Sequence, residues 1–90
     1  MLNLTYTHQF KKDLKQAVKR GKKISKLNEI VTLLQNQRPL PEKNRNHRLT
    51  GDYSGHWECH IEPDWLLIYL KNIKATELVL VRTGTHSDLF

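Results

Sequence analysis

Six consecutive apolar residues, Trp65-Leu66-Leu67-Ile68-Tyr69-Leu70, constrain this chain more than any other feature. A strand with one wet face alternates apolar and polar side chains; this run is apolar at both parities, so both of its faces must be covered. Pro63-Asp64 precedes it as a turn, and Lys71-Asn72 closes it. The pattern predicts a central strand that needs sheet neighbours at its edges and a layer on each side.

The neighbours are legible on either side. From Tyr53 the pattern has period two: Tyr53, Gly55, Trp57, Cys59 and Ile61 share one parity, and Ser54, His56, Glu58, His60 and Glu62 the other. That predicts a strand with one apolar face and one titratable face. Glu77 to Thr83, built around Leu78-Val79-Leu80-Val81, predicts another strand, and Leu2, Leu4 and Tyr6 a short one at the start. Short connections favour antiparallel pairing of the later strands.

The covering layer comes from two amphipathic stretches. Phe10, Leu14, Ala17 and Val18 repeat at helical spacing, with Gly21 placed to end that helix. Leu27, Ile30, Val31 and Leu34 form a second stripe, with Ser25 expected as its N-cap and Pro39 and Pro41 as its stop. Residues 39–52 read as a polar loop with a short edge strand near His47 to Leu49. The expected architecture is a two-layer α+β sandwich: an N-terminal β-α-α unit followed by a mainly antiparallel sheet, with one face partly open.

Ninety residues with 38% apolar content suit a single domain over residues 1–90. No apolar run approaches the roughly 18 residues that cross a bilayer. The start of the chain lacks a signal-peptide pattern, which makes the cytosol the expected compartment. Cys59 is alone, so no disulfide forms within the chain. Charge is placed unevenly: residues 1–48 hold 12 of the 15 Lys and Arg but only three of the nine acids. A basic half of this kind points to a polyanion or an acidic protein partner.

Five histidines give the chain its candidate chemistry. His60 lies on the polar parity of its strand, close to Asp64; His86 follows the last strand, and His47 precedes the first strand of the meander. In an antiparallel sheet these segments can meet at one end of the exposed face, where imidazoles and a carboxylate suit proton transfer near neutral pH. His8 and His56 read as ordinary polar residues, Trp57 and Trp65 as core, and Arg82 as a strand-edge solubiliser. No Cys-x-x-Cys or His-Glu-x-x-His spacing marks a zinc site, and no glycine-rich phosphate loop is present, so neither a metal nor another cofactor is expected.

Three segments carry a resemblance: His47-Arg-Leu-Thr-Gly51, Glu58-Cys-His-Ile-Glu-Pro-Asp-Trp-Leu-Leu-Ile-Tyr69, and Arg82-Thr-Gly-Thr-His-Ser-Asp-Leu-Phe90. Together they resemble the YafQ branch of the RelE-type toxins, and the likeness covers nearly the whole chain. It implies a RelE-like fold and a ribosome-dependent mRNA endonuclease that cuts in the A site and is silenced by an antitoxin. DNA would be met only through the antitoxin complex, and no membrane is involved. The resemblance places the functional residues at His47, His60, Asp64, Arg82, His86 and Phe90, with Glu58 standing for an acidic residue of the same strand. Many relatives have Arg where this chain has Trp57.

The reaction expected from this set is a metal-free transesterification that leaves a 2′,3′-cyclic phosphate and a 5′-hydroxyl. His60 is read as the base, oriented by Asp64, and His86 as the acid, although sequence leaves these two labels exchangeable. His47 is read as holding the phosphate, Arg82 as stabilising charge, and Phe90 as packing on a base. Lys11, Lys12, Lys15, Lys19, Arg20, Lys22 and Lys23 are expected to meet ribosomal RNA on the helix side, away from the site. The competing readings are a non-catalytic basic binding module with incidental histidines and, last, a DNA-binding repressor.

Overall fold

A computed structural model describes all residues, 1–90. Strand β1 (Asn3–Tyr6) is followed by helices α1 (His8–Lys19) and α2 (Ile24–Gln35), then by β2 (His47–Arg48), β3 (Trp57–Glu62), β4 (Trp65–Asn72), β5 (Glu77–Gly84) and the single-turn helix α3 (His86–Leu89). The sheet runs β1-β5-β4-β3-β2, antiparallel except for the β1–β5 pair, which is parallel. The β-α-α unit explains that exception. The helix pair crosses over the sheet before the meander begins, which leaves β1 to pair with the last strand.

The apolar run at 65–70 is explained by its place. Trp65, Leu67 and Tyr69 face the helices, where Phe10, Ala17, Leu27, Ile30, Val31 and Leu34 pack with Cys59, Ile61, Leu78 and Leu80 into the main core. Leu66 and Ile68 point the other way and are also fully buried, under Leu89, with Leu49, Tyr53 and Val81 beside them. A second, smaller core thus covers part of the face that sequence left open. It gives α3 its seat through Leu89.

Helix α1 is fixed at both ends. Thr7 accepts from the Phe10 N–H through Oγ1 at 3.0 Å, and its hydroxyl donates to Val81 O at 2.6 Å. At the other end Gly21, with φ of +80°, lets its own N–H reach Val18 O and the Lys22 N–H reach Ala17 O, the paired bonds of a left-handed helix stop. Val18 falls outside the buried stripe and is 55% exposed. Ser25 is not the cap of α2. The helix starts at Ile24, which packs on the core, and Lys23 stands at the N-cap with no side-chain bond.

Two irregularities in the sheet re-aim side chains that simple alternation assigns wrongly. In β3 the register shifts between His60 and Glu62, so Glu62 lies opposite Trp65 and turns to the helix layer, where it accepts from Lys22 at 3.1 Å and Lys26 at 2.8 Å. In β5 the shift at Val81 places Arg82 opposite Ile68 and sends Thr83 under the helices. There Thr83 Oγ1 accepts from the Trp65 indole at 2.9 Å and donates to Leu66 O at 2.6 Å, which satisfies a buried polar pair. Bulges of this sort commonly aim residues at the rim of a site.

Replacing Thr7 with Ala removes a helix cap and a tether to β5 together. It should cost about 1–2 kcal/mol, read as a lower urea midpoint with an unchanged m-value.

Candidate active site

Two adjacent rows of the sheet assemble the site. One row aligns His47, Glu58, Ile68 and Arg82 across β2, β3, β4 and β5; the next aligns His60, Leu66 and Gly84. Just past Gly84 the chain turns into α3 and delivers His86. The His60 ring lies 5.7 Å from that of His86 and 6.2 Å from that of His47, centroid to centroid. The three histidines expected to converge therefore do so, on the face away from the helices.

Each ring is turned by a bond at Nδ1. His47 Nδ1 faces Arg45 O at 2.6 Å, and His60 Nδ1 faces Pro63 O at 3.2 Å. A carbonyl oxygen only accepts, so both rings carry hydrogen on Nδ1 and turn Nε2 inward. Both inward atoms meet the same group: Glu58 Oε1 stands 3.4 Å from His47 Nε2 and 3.5 Å from His60 Nε2. Glu58 is only 4% exposed. One carboxyl oxygen thus stands between two imidazoles.

His86 is held differently. Asp64 Oδ1 accepts from its backbone N–H at 3.0 Å and from its Nδ1 at 2.7 Å, leaving Nε2 free. Asp64 thus orients His86, whereas sequence had paired it with His60. The reason is topological, since the β3–β4 turn lies beside the start of α3. These bonds, the backbone one foremost, hold the Asp64 carboxyl below the usual aspartate range.

The other expected residues have mixed placements. Arg82 turns its guanidinium toward α1, where Asp13 accepts from Nε at 2.7 Å and Nη2 at 3.2 Å and also from the Thr83 N–H. That pairing raises the Arg82 pKa and leaves Nη1 outside the fork. Phe90 is 63% exposed and meets Tyr53 edge-on at 5.8 Å. Of the basic set, Arg20 clamps Asp88 of α3 through two bonds, and Lys22 pairs with Glu62 and lies 5.8 Å above the Trp65 ring. Those two brace the site rather than standing away from it. Lys11, Lys12, Lys15, Lys19 and Lys23 are exposed and make no ion pair within the chain.

The sequence reading of the site residues left Glu58 without a role, although its parity with His60 was the available signal. It also missed Asp88, which with Thr85 forms a capping box that winds α3. Trp57 faces away from His60 as expected but is only half-buried, with Arg48 at 5.1 Å and Lys71 at 5.9 Å from its ring. Cys59 is buried in the main core, and burial pushes its thiol up to about 12.

Chemically, the arrangement offers two imidazoles whose Nε2 atoms face one buried carboxyl, a third fixed by an exposed carboxylate, and a basic scaffold behind them. A five-stranded RelE-like sheet carrying such a cluster defines a small toxin of the nuclease type. The model of the YafQ toxins of bacterial type II toxin-antitoxin systems matches residues 2–90, and the chain belongs to that family. The mRNA interferase toxin YafQ of Escherichia coli K12 is 44% identical over 91 residues, spanning 98% of this chain and 95% of the relative. Among solved structures, a metal-bound toxin from Helicobacter pylori aligns over the full length of both chains with a TM-score of 0.95 and 40% identity. YafQ in the E. coli DinJ–YafQ toxin-antitoxin complex aligns with a TM-score of 0.88 and 42% identity, over 99% of this chain and 97% of that one.

Two predictions follow from the anchoring of α3. A Cβ at Gly84 would stand 2.9 Å from Asp88 Cβ and Oδ2. Gly84→Ala should therefore push α3 off its seat and cost about 1–3 kcal/mol, with RNA cleavage falling further than urea stability does. The second concerns pH. The Arg20 guanidinium, helped by Thr85, holds the Asp88 carboxyl well below the usual range. Its contribution is complete above the unfolded value of about 3.9 and is lost as pH falls through the lower folded value. The stability gap between wild type and Asp88→Asn should thus narrow as pH falls below about 4, as followed by urea denaturation.

Proposed function

We propose that residues 1–90 act as a single toxin domain, an endoribonuclease that cuts mRNA by acid-base transesterification. The observation that carries this reading is the meeting of His47, His60 and His86 around Glu58 and Asp64. A binding module with incidental histidines would have no reason to gather three rings from three separate segments.

In the proposed mechanism His60 Nε2 removes the proton from a ribose 2′-hydroxyl, and Glu58 Oε1, beside that same nitrogen, accepts from the Nε2–H that results. The 2′-oxygen attacks the adjacent phosphorus in line. His86 then protonates the departing 5′-oxygen through Nε2, while the Asp64 carboxylate balances the positive charge on its ring. His47 binds a phosphoryl oxygen, and Arg82 offers the guanidinium edge that Asp13 leaves uncovered. Phe90, exposed at the rim beside Tyr53, packs against a nucleobase.

The free lysines of α1 and the α1–α2 turn supply the surface for ribosomal RNA, so that mRNA is presented in the ribosomal A site. The partner that silences the toxin is a cognate antitoxin, as DinJ is for E. coli YafQ in their complex. No helix of the chain is long and apolar enough to cross a membrane, and the ribosome and antitoxin place its work in the cytoplasm.

The test is expression of the chain alone with mRNA 5′ ends mapped. Wild type should arrest growth and create new ends. His60→Ala or His86→Ala should each reduce cutting by about 10²–10⁴-fold and relieve the arrest while keeping wild-type thermal unfolding. Undiminished cutting by both variants would overturn the reading.

A further inference from the structure

The polar stretch Asn44-Arg45-Asn46-His47 makes no hydrogen bond to the helices, yet two of its residues are tied to the site and a third to the core. Asn44 is 4% exposed, and its Nδ2 donates to the backbone carbonyl of His60 at 2.7 Å. Arg45, in the left-handed region with φ of 42°, presents the carbonyl that accepts from the His47 ring. Asn46 Oδ1 accepts from the Tyr69 hydroxyl at 2.6 Å. The short 3-10 turn Glu42–Asn44 seats this clip against β3.

The carbonyl that Asn44 holds belongs to the residue at which the β3 register shifts. A carbonyl cannot donate, so the amide nitrogen of Asn44 must face it, and Asn44 Oδ1 is left buried with no partner. An apolar side chain of similar size would fill the space without that cost. The bond has a direct geometric consequence. The same peptide sets where His60 projects and where the chain continues to Pro63, whose carbonyl fixes the His60 ring.

We propose that Asn44 is a positioning residue for the reaction: by gripping the His60 carbonyl it fixes the bulge, and with it the single Nδ1–H form of His60 and the approach of its Nε2 to Glu58. The proposal rests on the reading of His60 as the base. It acts on His60 alone, because His86 takes its orientation from Asp64 on a different segment.

The test uses the full chain with Asn44→Ala and Asn44→Asp; the second keeps the side-chain volume but has no donor. Single-turnover cutting of mRNA on ribosomes should slow by about tenfold to a hundredfold in each variant, with the substrate concentration for half-maximal rate unchanged. Ring ¹⁵N spectra should show His60 losing its single Nδ1–H form while the His86 signals stay in place. Asn44→Gln, with its amide restored on a longer arm, should recover part of the rate. If Asn44→Ala does not fold, the Asp variant carries the test. Unchanged rate and His60 spectra would overturn the proposal, and so would equal disturbance of His60 and His86, which marks general loosening. Failure of the His60 reading is seen separately, as normal cutting by His60→Ala.

Discussion

A carboxyl group as enclosed as that of Glu58 cannot hold a negative charge in isolation; burying an unpaired ion costs several kcal/mol. Two imidazoles face it, and the geometry leaves them little choice. Backbone carbonyls at Arg45 and Pro63 take the Nδ1 hydrogens of His47 and His60, so that both Nε2 atoms look onto one Oε1. The β2 edge strand, the bulge in β3 and the turn at Pro63 are arranged around this group.

The doubly buried strand β4 makes that arrangement rigid. Its helix-facing side chains hold the main core, and Leu66 and Ile68 hold α3 through Leu89. The short C-terminal helix bearing His86 is thereby packed from below by apolar contact, capped by Thr85 and Asp88, and clamped from the side by Arg20. Asp88 serves two of these supports at once, the cap and the clamp, and Leu89 supplies the third. They fix one imidazole about 5.7 Å from another, the scale of a single phosphodiester linkage.

Much of this was legible in the sequence, and what was not has identifiable causes. Period-two and helical spacing give the strands, the helix pair and the central position of 65–70, because burial on one or two faces writes itself directly into residue type. Antiparallel topology allowed His47, His60 and His86 to converge, and the family resemblance pointed to the same three. Alternation failed at Glu62 and at Arg82, in each case because a bulge inserts one residue into a ladder, which composition does not reveal. Closeness in sequence also paired Asp64 with the wrong histidine: Asp64 lies four positions after His60, but the turn faces α3 in space. Glu58 and Asn44 escaped for a related reason. Their importance comes from being buried while polar, and burial of a polar residue has no periodic signature.

In the proposed reaction the clustered imidazoles move protons around one RNA linkage and let the 2′-oxygen act as nucleophile. End-group analysis of RNA cleaved by the purified toxin on programmed ribosomes tests it most directly, by mass spectrometry of the 3′ fragments. The account predicts 2′,3′-cyclic phosphate, or its hydrolysis product, with a 5′-hydroxyl on the downstream piece. A free 3′-hydroxyl opposite a 5′-phosphate would contradict it, since that outcome requires water rather than the ribose to attack.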